Sequence, residues 1–321
     1  MILEIADLVA RHCQVPPATA RGLRVAFLKT TEPTFLVFAR HQAHPLFVVK
    51  VGDAATFERR LAVSARLYEL LPDAIAKPFG VFPLAGSHAL LVQTGLPGIP
   101  WFRLADHLRT ADDWRRLAGR CRAQLVAFQS AVAREPRWVA GGARYDVALR
   151  ALAASLHDVL APLGAPVALM LAEAADVLAT VAPAPVVWQH GDFVLNNLLV
   201  DDDRIGVVDL DDFGKWQAPF VDAFALACSI SLQARAYVPW PHLAEELAAC
   251  AAVERGAAAY TPRQRTAFFA HFLLSAVADT LQRPARATIR LSYLGYLRDL
   301  AEDGPRYLRA FEPPPAPGDA S

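Results

Sequence analysis

The stretch that decides the fold is Gln189-His190-Gly191-Asp192-Phe193-Val194-Leu195-Asn196-Asn197-Leu198-Leu199-Val200. It runs on through the turn Asp201-Asp202-Asp203-Arg204 and the strand-like Ile205-Gly206-Val207-Val208 into Asp209-Leu210-Asp211-Asp212-Phe213-Gly214. Apolar runs lie on both sides of the polar residues. This pattern predicts a loop held between strands, where rigid supports can carry chemical groups. Asp192 and Asn197 stand five positions apart, and the turn at 201–204 predicts a hairpin that folds Asp209 back toward Asn197. Carboxylate and amide oxygens are hard ligands that suit magnesium. A free carboxylate beside them can accept a hydroxyl proton during phosphoryl transfer.

Upstream, strand signals dominate the first third of the chain. Leu23–Leu28, Phe35–Ala39 and Leu46–Val51 are rich in Val, Phe and Leu, and His41–Pro45 reads as a turn between the last two. Asp53 is placed to cap a helix from Ala54 to Leu71, which Pro72 ends. Ala76–Phe82 and His88–Thr94 read as two further strands around Ala85-Gly86. After Pro97-Gly98 the pattern turns helical over Thr110–Ala133, Tyr145–Leu160 and Val167–Val181. A short β-rich region at Val186–Val208 interrupts it. Helical patterns resume over Val221–Arg235, His242–Arg255, Pro262–Gln282 and Ala285–Glu302. The order is therefore a small sheet with one helix, a hinge near Thr94–Pro100, and a mostly helical region with a β-hairpin inside it. The boundaries read as 1–95, 96–311 and a proline-rich, disordered tail at 312–321.

Composition narrows the function classes. Of 321 residues, 54% are hydrophobic, which supplies a sizeable core. The 32 basic residues balance the 32 acidic ones, so no broad field draws in nucleic acid or an anionic membrane. Cys13, Cys121, Cys228 and Cys250 form no C-x-x-C pair, so a zinc site or disulfide framework is not expected. The N-terminus carries Glu4 and reads as an amphipathic helix with Ile2, Ile5, Leu8 and Val9 on one side, not as a signal peptide. The apolar run Ala165–Val187 is interrupted by Glu173, Asp176 and prolines, so no membrane span is expected. The expectation is a cytoplasmic protein, with its oligomeric state open.

H-G-D-x-x-x-x-N, then a hairpin, then an apolar strand ending in D-x-D resembles the aminoglycoside phosphotransferase and choline kinase-like family. The resemblance implies an α+β, bilobal protein-kinase-like fold. Its N-lobe is a small antiparallel sheet with one main helix, and its C-lobe is larger and mostly helical. It implies ATP and magnesium as nucleotide substrate and cofactor, and a small-molecule hydroxyl as phosphate acceptor. It makes Asp192 the catalytic base, Asn197 and Asp209 metal ligands, and Asp211 a second acidic ligand. His190 and Asp222 become supports of the catalytic loop. Lys50, at the end of Leu46–Val51, becomes the contact to the ATP phosphates, with Glu58 as its helix partner and Ser64 or Glu69 as other positions for that role. Thr94 and Gly95 become the hinge whose backbone binds adenine. The phosphate-covering loop then falls at Lys29-Thr30-Thr31-Glu32-Pro33-Thr34, which departs from many relatives in having no glycine.

Two other readings compete. Asp209-x-Asp211 after an apolar strand also resembles aspartyl phosphatases, but this leaves His190–Asn197 unexplained. A catalytically silent, kinase-like binding protein would account for the glycine-free loop, yet has no need of Asp192, Asn197 and Asp209 together. For the acceptor, a polycationic aminoglycoside requires carboxylates, and Glu245, Glu246 and Glu254 are the acids at hand. An uncharged sugar or amino alcohol requires none.

Overall fold

The computed structural model describes residues 2–28, 32–84, 86–283 and 287–312. In chain order the strands are β1 (Arg24–Leu28), β2 (Thr34–Phe38), β3 (Phe47–Asp53), β4 (Pro78–Pro83), β5 (His88–Thr94), β6 (Ile99–Pro100), β7 (Val139–Ala140), β8 (Val186–Val187), β9 (Leu198–Val200) and β10 (Ile205–Val207). The helices are α1 (Ile2–His12), α2 (Pro17–Ala20), α3 (Ala54–Leu70), α4 (Trp101–Leu104), α5 (Ala111–Val132), α6 (Tyr145–Ser155), α7 (His157–Leu160), α8 (Gly164–Ala179), α9 (Val221–Ala234), α10 (Leu243–Ala251), α11 (Pro262–Leu281), α12 (Ala287–Glu302) and α13 (Gly304–Phe311). The tail at 313–321, the start of the helix expected from Ala285, and Lys29–Thr31 of the glycine-free loop lie outside the described residues.

The chain divides into two compact units. One comprises Met1–Gln124 with Val194–Asp212, and the other Leu125–Phe193 with Phe213–Ser321. In the first, five antiparallel strands pair in the order β1-β2-β3-β5-β4. Alternation decides which face each side chain takes. Phe47 and Val49 of β3 and Leu90 and Val92 of β5 are buried in one cluster with Phe35 and Val37 of β2. The amphipathic helix α1 adds Ile5 and Val9 to that cluster. Lys50, one step out of phase with Phe47 and Val49, takes the other side of β3.

Helix α3 packs on that other side. Asp53 caps it by accepting the Thr56 N–H at 2.8 Å. Phe57 is fully buried against Ala89 and Leu91 of β5. Gly52 makes room for it, because a Cβ there would lie 2.8 Å from the Phe57 ring. The same unit holds a second small sheet, β10-β9-β6, in which the hairpin expected at 198–208 pairs Val200 with Ile205 and Leu198 with Val207. Its β6 strand at Ile99–Pro100 carries no strand signal of its own in the sequence.

Among its described residues the second unit has helices as its regular structure apart from the β7–β8 pair. Helix α9 carries few polar residues and buries eleven of its fourteen. Helices α8, α9 and α10 pack with α6, α11 and α13 around the aromatic core of Phe224, Phe268, Phe269, Phe272 and Phe311. The helix expected over Tyr145–Leu160 breaks after Ser155 and resumes as α7. The run His157–Ala179 is apolar and long enough for a membrane span by composition, contrary to the sequence expectation. It is not one helix, however. Gly164 has φ 78° and separates the turn after α7 from α8, whose Val167, Leu171, Ala175 and Leu178 are buried.

Candidate active site

In the first unit a cleft opens on the α3 side of the sheet. Lys50, Gln93, Arg60, Ser64, Asp209 and Asp211 line it. Lys50 Nζ donates to Asp209 Oδ1 at 3.1 Å and to Asp211 Oδ2 at 3.2 Å. Two carboxylates thus converge on one cationic point, which is the donor arrangement a hard divalent cation uses. Among the described residues no three acidic, histidine or cysteine side chains form a closed cage. Such an open set of two carboxylates suits magnesium, which keeps waters and phosphate oxygens in its shell.

Local backbone geometry produces this convergence. Asp209 lies two residues past the end of β10 and sits in the left-handed region with φ 63°. That conformation is rare for a residue with a side chain and persists only where its surroundings hold it. Here a bridge of Ile75 to Val207 and the bond from Val207 N–H to Ala74 O at 2.7 Å pin the end of β10. Asn197 closes a 3₁₀ turn over Leu195–Asn197, and its carbonyl accepts the Val208 N–H at 3.0 Å. The hairpin therefore brings Asn197 beside the backbone that leads into Asp209. Its neighbour Asn196 accepts from Trp101 Nε1 at 2.6 Å.

The charges in the cleft are balanced against one another. Burial works against the Lys50 ammonium, but Asp209 and Asp211 together outweigh it and hold its pKa above the ordinary value. Burial raises the Asp211 pKa, and repulsion from Asp209 adds to it, against the pull of Lys50 and Arg60.

Glu58 is not brought to Lys50. It is exposed on α3, one step past buried Phe57, while Arg60 and Ser64, three and seven positions after Phe57, face the cleft. The helix periodicity, not the residue type, decides which side chain reaches the strand. Arg60 Nη1 instead lies 2.6 Å from Glu32 Oε2 and 3.3 Å from Asp211 Oδ1. In the sequence Arg60 is marked only by its spacing from Phe57, and Glu32 reads only as a loop acid. At the expected hinge, Thr94 N–H donates to Lys77 O at 2.8 Å and Gly95 N–H to Leu46 O at 2.9 Å. Gly95 is the residue the site requires, since a Cβ would fall 1.8 Å from Pro45 O.

In the second unit His190 is fully buried, its ring packed against Phe128 and Phe193. The Asp192 N–H lies 3.3 Å from His190 Nδ1. Asp222, in the first turn of α9, accepts the His190 N–H on Oδ2 at 2.7 Å and the Gly191 N–H on Oδ1 at 2.8 Å. Its own N–H reaches Gln189 Oε1 at 3.3 Å. The residue before α9, Phe220, has φ 65°, and its N–H points to Glu254 Oε1 at 3.4 Å. Glu254 also accepts from Gln129 Nε2.

Glu254 and Glu246 are therefore internal residues, and Glu245 pairs with Arg306 at 2.9 Å. The three acids do not form the open carboxylate cluster considered for a polycationic acceptor. No local sequence signal separated buried Glu254 from a solvated helix acid.

Burial pushes both Asp222 and Glu254 up to about 7, against the hydrogen bonds each receives. A buried acid whose folded pKa exceeds its unfolded value contributes stability that is fully present below the unfolded value. That contribution is lost as the pH rises through the folded pKa. For Glu254 the window runs from 4.5 to about 7. Glu254→Gln keeps an acceptor for Phe220, and Gln129 Oε1, buried and unbonded, can turn to receive its new NH₂. The variant is expected to match the parent at pH 5 and to be more stable by ~2 kcal/mol at pH 8, read from thermal melts at the two pH values.

Similar folds occur among solved structures. A thermostable mutant of aminoglycoside phosphotransferase APH(4)-Ia, in ternary complex with ADP and hygromycin B, gives a TM-score of 0.57 at 13% identity, covering 97% of this chain and 100% of that one. A glucosamine kinase in complex with glucosamine, ADP and inorganic phosphate gives 0.54 at 19% identity, covering 95% and 87%. No curated protein matches the chain. The sheet, the helical unit and these neighbours define a protein of kinase-like fold, as expected from the sequence. Residues 32–249 match the family described as "Phosphotransferase enzyme family" (APH), and the chain belongs to it.

Proposed function

We propose that this family member is an ATP- and magnesium-dependent small-molecule kinase that transfers the γ-phosphoryl group to a hydroxyl. The observation that carries this reading is the convergence of Asp209 and Asp211 on Lys50 within one cleft. Lys50 binds the phosphates as a point charge. Asn197, Asp209 and Asp211 hold magnesium, which when bound neutralises the phosphate oxygens. Asp192 orients the acceptor hydroxyl and takes its proton as the oxygen–phosphorus bond forms and the bond to the departing diphosphate breaks. His190 and Asp222 keep the loop that carries Asp192 in place. The N–H groups of Thr94 and Gly95 are already engaged, so adenine contacts fall to carbonyl oxygens there or to residues beyond Gly95.

The acceptor class is a hydroxylated small molecule: an aminoglycoside-like antibiotic, a sugar or an amino alcohol. Both neighbours above were solved with a compound of this kind, hygromycin B or glucosamine. The test is ADP release by the purified protein, with and without Mg²⁺, across a panel of such compounds, beside a nucleotide thermal-shift measurement. Metal-dependent ADP release with at least one acceptor is expected. A nucleotide-induced shift without turnover on any acceptor would favour a silent binding protein. No shift with any nucleotide, with or without metal, would overturn the kinase reading.

A further inference from the structure

Lys50 is not the sole cation facing the acidic pair. Arg60 reaches the Asp211 carboxylate from α3 while Lys50 reaches it from β3. The side chains of both cations are only 21% exposed. Glu32, two residues before β2, holds the other side of the same guanidinium nitrogen. The cluster therefore contains two cations and three carboxylates, a net charge near −1 before any ligand enters. The expected phosphate-covering segment, Lys29–Thr34, has no glycine to let backbone N–H groups approach closely. Side-chain cations must then carry more of the phosphate charge. An arginine is well suited to this, because its fork of donors matches phosphate oxygens.

Resting on the kinase reading above, we propose that Arg60 is a second phosphate-binding residue, and that in the ligand-free protein it competes with the divalent cation for Asp211. The two roles have opposite consequences when the guanidinium is removed. Asp211 loses a competitor, so a divalent cation on its own binds more tightly. The phosphates lose a donor, so ATP without metal binds more weakly. A residue that merely braces α3 would weaken both together. Glu32 has the reverse relation to the phosphates: it occupies Arg60 and repels anions.

The experiment measures Mn²⁺ alone and metal-free ATP, each by calorimetry, on the full chain and on Arg60→Ala, Arg60→Lys and Glu32→Gln. Arg60→Ala is expected to tighten Mn²⁺ about 3- to 10-fold and to weaken ATP about 10-fold or more. Arg60→Lys restores part of the ATP affinity, and Glu32→Gln tightens ATP about 3-fold. Parallel losses of both ligands in Arg60→Ala, or unchanged affinities, overturn the inference. Should Arg60→Ala not fold, Glu32→Gln decides: unchanged ATP affinity overturns it. Wild-type protein that binds no ATP overturns the kinase reading and this inference with it. Wild-type binding matched by Arg60→Ala overturns this inference alone.

Discussion

Asp192→Asn is expected to lower kcat by about 10²–10⁴-fold, the usual contribution of a general base, while nucleotide affinity changes little. Asparagine has the size of aspartate and can still accept a hydrogen bond from the hydroxyl, but it cannot take the proton. The loop should keep its conformation in the variant. His190 and Gly191 are fixed through their backbone N–H groups by Asp222. The Asp192 backbone N–H facing His190 Nδ1 is likewise untouched by the substitution. Lys50, Asp209 and Asp211, proposed to hold the phosphates and metal, belong to the other compact unit. The measurement is steady-state turnover on the best acceptor beside calorimetric ATP affinity with Mg²⁺. Full activity in the variant would remove Asp192 from the chemistry. An equal loss of turnover and affinity would assign it to binding.

The sequence made the sheet and the hairpin legible because both depend on short-range signals. Alternation in Leu46–Val51 separates buried Phe47 and Val49 from Lys50, and Asp201-Asp202-Asp203-Arg204 marks the turn that returns Asp209 toward Asn197. Asp222 was legible only through its place in a motif. Its two bonds to the His190 and Gly191 backbone cross 31 and 32 positions, a distance no periodicity encodes. Glu58 shows the opposite failure. It has the residue type that pairs with a strand lysine, but the phase of α3 is set by Phe57 in its slot over Gly52. That phase delivers Arg60 and Ser64 to the cleft instead. The Glu254–Gln129 contact joins residues 125 positions apart. Glu254 reads as an ordinary exposed helix acid until tertiary packing buries it.

Asp222→Ala is expected to be strongly destabilising, on the scale of truncating a buried core aromatic. The carboxylate is fully buried and each of its oxygens accepts one backbone N–H. Truncation leaves both donors buried without their partner, at about 1–3 kcal/mol each. The loss is therefore about 2–6 kcal/mol, of which relief of the buried charge at neutral pH returns part. For a domain of this size the melting temperature should fall by roughly 10 °C. Asp222→Asn separates charge from geometry. It keeps one carbonyl acceptor but sets an NH₂ group against the remaining backbone N–H, so one bond survives and one becomes a clash of donors. It should cost less than alanine but more than removal of a charge alone. Burial holds the Asp222 pKa up at about 7, above its unfolded value of 3.8, so the parent gains stability as it takes up a proton below that value, whereas the asparagine variant has no such proton to bind. The gap between parent and asparagine variant should accordingly widen as the pH falls from 8 to 5. Melting curves of the three proteins at both pH values give the ordering. If asparagine were as stable as aspartate at pH 8, the two backbone donors would not depend on the carboxylate. The bracing of the loop that carries Asp192 would then have to come from the packing of His190 between Phe128 and Phe193.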